Sequence, residues 1–183
     1  MRLKSICIAV AVFIVSAVVA DAQLVGQIVY SSKVWGDSPW VIHIMNADGS
    51  GRRALADGMT PSWSPDGECI VYRGRGGIWV MNRDGSGNQL LFEAKDIIDP
   101  VFSHDGRRIL FNWYRDGESF IYSVDATTGG DPILLPLSPA DSTDPGFHGD
   151  VTPSPDGRTV AFTYGKQSQQ FTANSVGLFV ANM

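Results

Sequence analysis

The feature that most constrains this chain is a short phrase that recurs along it. Residues 61–72 read PSWSPDGECIVY, residues 99–111 read DPVFSHDGRRILF, and residues 151–162 read VTPSPDGRTVAF. Each holds a Ser-x-Asp-Gly turn, two spacer residues and an apolar run. A second phrase recurs too: IHIMNADGSGRRAL from Ile42, IWVMNRDGSGNQLL from Ile78, a looser IYSVDATTGGDPILL from Ile121, and LFVANM at the C-terminus. Asp66 and Asp105 lie 39 residues apart, Asp105 and Asp156 51. Periods of about 40–50 residues with several short strands each indicate a propeller or a related array.

The chemistry of one unit explains the pattern. Proline presets φ at the second turn position and glycine accepts positive φ at its end. Pro65, Asp66, Gly67, Asp105, Gly106, Asp156 and Gly157 therefore read as turn residues. Asp48, Gly49, Asp84 and Gly85 belong to the Asn/Asp/Gly-rich loops that tight hairpins require. CIVY and IWVM are apolar at consecutive positions, as strands buried on both faces are. NQLLFE is more mixed, as suits an outer strand. Four antiparallel strands make a propeller blade, and no 3.6-residue apolar stripe persists for three turns. The expected fold is an all-β β-propeller of four-stranded antiparallel blades.

Pairing P-x-W-S-P-D-G-x-x-I-x-Y with I-W-V-M-N-x-D-G-S-G resembles the TolB-type, WD-repeat-like propeller repeat of bacterial exported proteins. The resemblance implies an interaction platform of the kind used in envelope assemblies. The chain departs from complete TolB, whose propeller follows an α/β domain and has about six blades; here the repeats begin near Gly26. Similar repeats form the accessory half of prolyl oligopeptidase-type peptidases and occur in oligogalacturonate lyases. The first unit supplies GQIVYSS, WVIHIMN and RRALAD without an innermost strand, and the last stops at Met183. That is fourteen strands, three and a half to four blades. The expectation is an incomplete ring truncated at the C-terminus, a strained four-blade ring, or self-association through open edges.

Residues 1–22 read as a secretory signal peptide: Arg2 and Lys4 precede an apolar run from Ile6 to Ala20, and Ala20 and Ala22 suit a small-residue cleavage site. Gln23 is then the mature start, 23–183 the propeller domain, and the location periplasmic or secreted, with no membrane span after cleavage. The formal charge of −5 becomes −6 with that segment removed, and no Lys/Arg cluster remains, which argues against nucleic acid as a partner. Cys69 is the sole cysteine left, expected as a core thiol.

If strands run from inner to outer, both recurring turns share one face and function falls to the irregular loops of the other. These are 31–40, 73–77, 93–99, 112–119, 135–150 and 164–174. They offer Trp35, Arg73, Arg75, Asp99, Trp113, Tyr114 and Arg115 as binding residues, with aromatics and arginines placed as protein or glycan surfaces place them. Asp144, His148 and Asp150 end the longest loop, where a His among carboxylates could hold a metal or move a proton; a turn-capping role is the plainer account. Trp40, Trp63 and Trp79 read as core, His43 as a satisfied strand residue and His104 as surface. The N-x-D-G-S-G loops lack the downstream glutamate of a calcium loop. No G-x-S-x-G elbow, P-loop or Cys/His cluster occurs. The reading is a non-catalytic binding scaffold for a protein or glycan, without cofactor. The alternatives are the propeller part of a lyase-like or peptidase-type enzyme, and a partial gene product without its own function.

Overall fold

The computed structural model describes residues 26–34, 38–115, 118–135, 137, 147–165 and 176–182. Fourteen strands and no helix occur among them. They are β1 (Gln27–Ser32), β2 (Val41–Asn46), β3 (Arg53–Asp57), β4 (Met59–Trp63), β5 (Cys69–Gly74), β6 (Gly77–Asn82) and β7 (Gln89–Glu93), then β8 (Ile97–Phe102), β9 (Arg108–Arg115), β10 (Glu118–Asp125), β11 (Ile133–Leu134), β12 (Phe147–Pro153), β13 (Thr159–Gly165) and β14 (Val176–Asn182).

The chain divides into two units at Met59/Thr60. In the first, β1, β2 and β3 form one antiparallel sheet. Ile42 and Ile44, alternate residues of β2, are fully buried. His43 between them stacks on Tyr30 at 5.4 Å and hydrogen-bonds Ser32 Oγ.

The second unit holds three blades. The β4-β5-β6-β7 sheet is one of them, β8 to β11 the next, and β12 to β14 the third. Strand parity builds the core between them. On β9, Ile109 and Phe111 face back to Val71 and Ile78 of the preceding blade. Leu110, between them, faces forward to Val151, Val160 and Phe162 of the following one. A strand buried on both faces must be apolar at consecutive positions, which is what RILF and CIVY supply. The two later blades are also joined edge to edge, because Ser119 of β10 pairs in parallel with Phe147 of β12. That bridge is invisible in the repeat pattern.

Four expectations of burial need correction. Trp40 is exposed, because it precedes β2 instead of lying within it. Trp63 and Trp79 are half-buried. Cys69 is half-buried at the start of β5, and its thiol is held above the ordinary value by burial and then by Asp66 and Glu68.

Neighbouring blades touch closely at Gly129, which ends the β10–β11 turn with φ +70°. A Cβ there would fall on the Leu91 carbonyl of the preceding blade. Left-handed backbone and a clash with main chain act together, so Gly129→Ala is expected to destabilise by about 3 kcal/mol. Urea unfolding would show this as a lowered midpoint, and an unchanged midpoint would mean the turn is not seated against Leu91.

Candidate functional site

At one end of the blades the recurring turn chemistry is used up internally. Ser64, Ser103 and Ser154 donate their hydroxyls to Asp66, Asp105 and Asp156 at 2.5, 2.7 and 2.6 Å. Each carboxylate also accepts the backbone N–H two residues on, at 3.1 Å. Each serine oxygen accepts the N–H five residues on, at 2.9–3.1 Å. The serine hydroxyls first, and then these backbone bonds, hold all three carboxyls below their ordinary value. The DGSG loops close likewise: Ser50 and Ser86 donate backbone and hydroxyl hydrogens to Asp48 and Asp84. Both turn types sit at the same end, since Arg83 N–H reaches Glu68 O at 2.8 Å and Ala126 N–H reaches Arg107 O at 2.9 Å.

The opposite end is different. Thr60, Asp99 and Asp150 each lie six residues before a turn aspartate, so they occupy one position on the innermost strands β4, β8 and β12. All three have left-handed backbone, with φ of 49°, 49° and 32°. The ladder slips beside two of them, between Ile98 and Val101 and between Gly149 and Val151. Thr60 and Asp99 also precede prolines, which favours extended backbone. A β-branched residue at positive φ is strained, and strain of this kind collects at functional sites.

These bulges turn two carboxyls toward each other. Asp99 is pushed up to about 6: burial raises it most, followed by its hydrogen bond with Asp150 and the Asp150 charge. Arg73 opposes the shift, and so does Thr60 to a smaller degree. The buried Thr60 Oγ1 nonetheless makes no hydrogen bond of good geometry.

Repeat register explains why Arg73 is there. Arg73 pairs with Ile78 across β5–β6, and Asn112 pairs with Ile121 across β9–β10. The two are equivalent, on the face that each blade turns to the next. Arg73 thus meets Asp99 of the following blade, and Asn112 faces the inner strand that carries Asp150. Asn112 is 1% exposed, and its Oδ1 has no hydrogen-bond partner. The group offers a proton shared between carboxyls, a guanidinium, and two buried oxygens open to a donor.

Of the residues singled out by sequence, Arg73, Asp99 and Asp150 come together. Thr60 and Asn112 complete the group; sequence singles out neither, and Asn112, placed there at the start of the irregular stretch 112–119, lies within β9. Asp99 and Asp150 lie on strands, not in loops. Trp113 likewise belongs to β9 and packs half-buried among Phe92, Phe111 and Tyr122, with its Nε1–H donated to Lys95 O at 3.1 Å. Tyr114 and Arg115 are exposed at the end of β9, the Arg115 guanidinium 4.7 Å above the Trp113 ring. Arg75 is exposed on the β5–β6 hairpin. A cleft of about 240 Å³ opens beside it, lined by Arg73, Gly76, Lys95 and Asp96 among others. Trp35 and Asp144 lie outside the described residues, as does the side chain of His148. Among the described residues, no group of three or more His, Cys, Asp or Glu is placed to hold a metal ion.

Blades of this order, with these turns, define a TolB-like β-propeller fold. TolB from Acinetobacter baumannii superposes with a TM-score of 0.69 at 20% identity, covering 86% of this chain and 39% of that one. A TolB-type protein from Agrobacterium tumefaciens gives 0.68 at 24%, covering 86% and 57%. Oligogalacturonate lyase in complex with manganese gives 0.52 at 18%, covering 79% and 40%. The chain therefore spans about two-fifths to just over half the length of these structures. No protein-family model matches the sequence, and no curated protein does.

Proposed function

We propose that this protein is an exported, non-catalytic binding scaffold that holds a protein partner at the blade end opposite its turns. The observation that carries the reading is the contrast between ends. The turn carboxylates spend their hydrogen bonds on their own loops, whereas the opposite end gathers Thr60, Asp99 and Asp150 of the inner strands with Arg73 and Asn112 of the second strands, and leaves the buried Thr60 Oγ1 and Asn112 Oδ1 without hydrogen-bond partners. Exposed Arg75, Tyr114 and Arg115 stand at the same end, and arginine and tyrosine are favoured anchors in protein interfaces. Export rests on the basic-then-apolar 1–22 segment, and no helix among the described residues is long and apolar enough to cross a membrane. A glycan partner remains the other outcome of the test.

Site-specific photo-crosslinking in a bacterium that exports the chain tests this. A crosslinker at Arg75 or Arg115 is expected to give a discrete adduct with one protein, whereas one at Arg83 or Arg158, among the turns, gives none. Equal labelling from both ends, or none from either, contradicts the reading. N-terminal sequencing of the exported form is expected to begin at Gln23.

One observation favours an enzyme instead. A carboxyl held near neutrality beside a second carboxylate is suited to proton transfer, and propeller-bearing enzymes are among the similar folds. That reading requires Asp150→Asn to abolish turnover of an acidic oligosaccharide or peptide by the wild type; no turnover by the wild type ends it.

A further inference from the structure

The cleft beside Arg75 opens where the β4–β7 blade meets β8. The β5–β6 hairpin forms one wall, with Arg73, Gly74, Gly76 and Gly77, and the β7–β8 connection forms the other, with Lys95 and Asp96. Both walls are fixed by hydrogen bonds that consume their carbonyls. Arg75 O accepts Trp79 Nε1–H at 3.1 Å, and Gly76 O accepts Ala94 N–H at 3.0 Å. On the other side, Lys95 O accepts Trp113 Nε1–H at 3.1 Å and Asp96 O accepts Tyr114 N–H at 3.0 Å. A cation entering here would find those carbonyls already engaged.

The donors are left over. Lys95 is exposed and Arg73 half-buried, and neither closes an ion pair among the described residues. Arg73 acts on Asp99 through its charge, while the Asp99 carboxyl spends its hydrogen bond on Asp150. Gly76 holds φ +83° at the hairpin tip, and a Cβ there would stand in open space, so the tip of that wall stays bare. Two cations less the Asp96 carboxylate leave one net positive charge in the lining. That matches a single carboxylate better than a phosphate dianion. The cleft measures about 240 Å³, below the ~300–1,000 Å³ of clefts that take whole small molecules. It therefore suits one side chain of a larger ligand, and a guanidinium pairs with a carboxylate through two parallel hydrogen bonds.

We propose that this cleft takes an aspartate or glutamate side chain of a protein partner, its carboxylate held by Arg73 and Lys95. The inference rests on the reading that a protein binds at this end, and it adds the chemistry of the anchor. Walls already tied by backbone and indole hydrogen bonds need little ordering when the ligand enters.

The test titrates the nitrogen-15-labelled full chain with a terminally blocked peptide carrying two glutamates, beside the same peptide with glutamines. Amide signals of Gly76, Gly77, Lys95 and Asp96 are expected to shift and saturate with the glutamate peptide. Affinity is expected to fall about tenfold with the glutamine peptide, and likewise in Lys95→Gln and Arg73→Gln, since charge-assisted hydrogen bonds are lost. Arg83→Gln, among the turns, should bind as the wild type does. No response, equal response to both peptides, shifts centred elsewhere, or binding that survives Lys95→Gln overturns the proposal. Inorganic phosphate that gives the same shifts at equal or lower concentration also overturns it, by assigning the cleft to free anions. Lys95 is exposed, so its variant carries the test if Arg73→Gln does not fold, and thermal melts check both. Peptide binding at the cleft without a crosslink from Arg75 or Arg115 in cells would count against the scaffold reading alone. A crosslink without peptide binding would count against this inference alone.

Discussion

Phe111→Ala is expected to lower the unfolding free energy by about 3–5 kcal/mol, the usual penalty for deleting a buried aromatic. Phe111 is 0% exposed at the junction of two blades. Its ring lies 5.6 Å from Phe92, 6.2 Å from Trp113 and 6.3 Å from Tyr122. Truncation leaves a cavity bounded by three aromatic rings that backbone pairing holds in place, so collapse around it is limited. For a chain of this length the midpoint should fall by about 10 °C. The control is Tyr114→Ala, one residue along but exposed, expected within about 0.5 kcal/mol of wild type. Comparable melts for the two variants would mean that the β9 face assignment is wrong.

The second large effect is on the pH dependence of stability, where two sets of carboxyls act in opposite directions. The turn carboxyls are depressed in the folded state. Their contribution is present above the ordinary 3.8 and is lost as pH falls below it. Asp99 is raised from 3.8 to about 6, so the folded state holds its proton more firmly. Its contribution is complete below about pH 4 and lost as pH rises through 6. Without screening, a shift of that size corresponds to about 3 kcal/mol. Asp99 is only partly buried, which reduces the expected loss between pH 4 and 7 to about 1–2 kcal/mol. Stability should therefore peak near pH 4–5 and decline toward neutrality. Asp99→Asn, which tolerates the positive φ, should flatten the neutral limb and raise stability at pH 7 by about 1 kcal/mol. Urea titrations at pH 4.5 and 7 check this, and a wild type more stable at pH 7 contradicts it.

The frame of the fold is legible because its turns are chemically demanding. Ser-x-Asp-Gly is a hydrogen-bonding circuit that needs each of its residues, so it can be found at 64–67, 103–106 and 154–157 without coordinates. Runs such as RILF announce burial on both faces for the same reason. Single residues at strand ends are less legible. Trp40 looks like core by type but stands just before β2 begins, and WYR reads as a loop although β9 carries its pairing through Arg115. There the pairing of β9 with β10 decides, and composition says nothing about how far it runs.

The site was half visible. Sequence marks Asp99 and Asp150 as the ends of two irregular stretches, but their meeting depends on two bulges and on three strands sharing one inner position. Thr60 carries no chemical flag at all; only its distance of six residues from Asp66 aligns it with the two aspartates. Asn112 is hidden within an apolar strand, and its significance lies in being buried with an oxygen left over, which no sequence pattern records.

The most direct test of the account is a carbon-13 NMR titration of the aspartate side-chain carboxyls, with Asp99 and Asp150 assigned by substitution. The account predicts a step near pH 6 for Asp99 that moves toward ordinary aspartate values in Asp150→Asn, while Asp66, Asp105 and Asp156 titrate below 3.8. A wild type in which Asp99 titrates with ordinary aspartates, unaffected by Asp150→Asn, would mean the two carboxyls do not meet, and that the binding end of this propeller must be sought elsewhere.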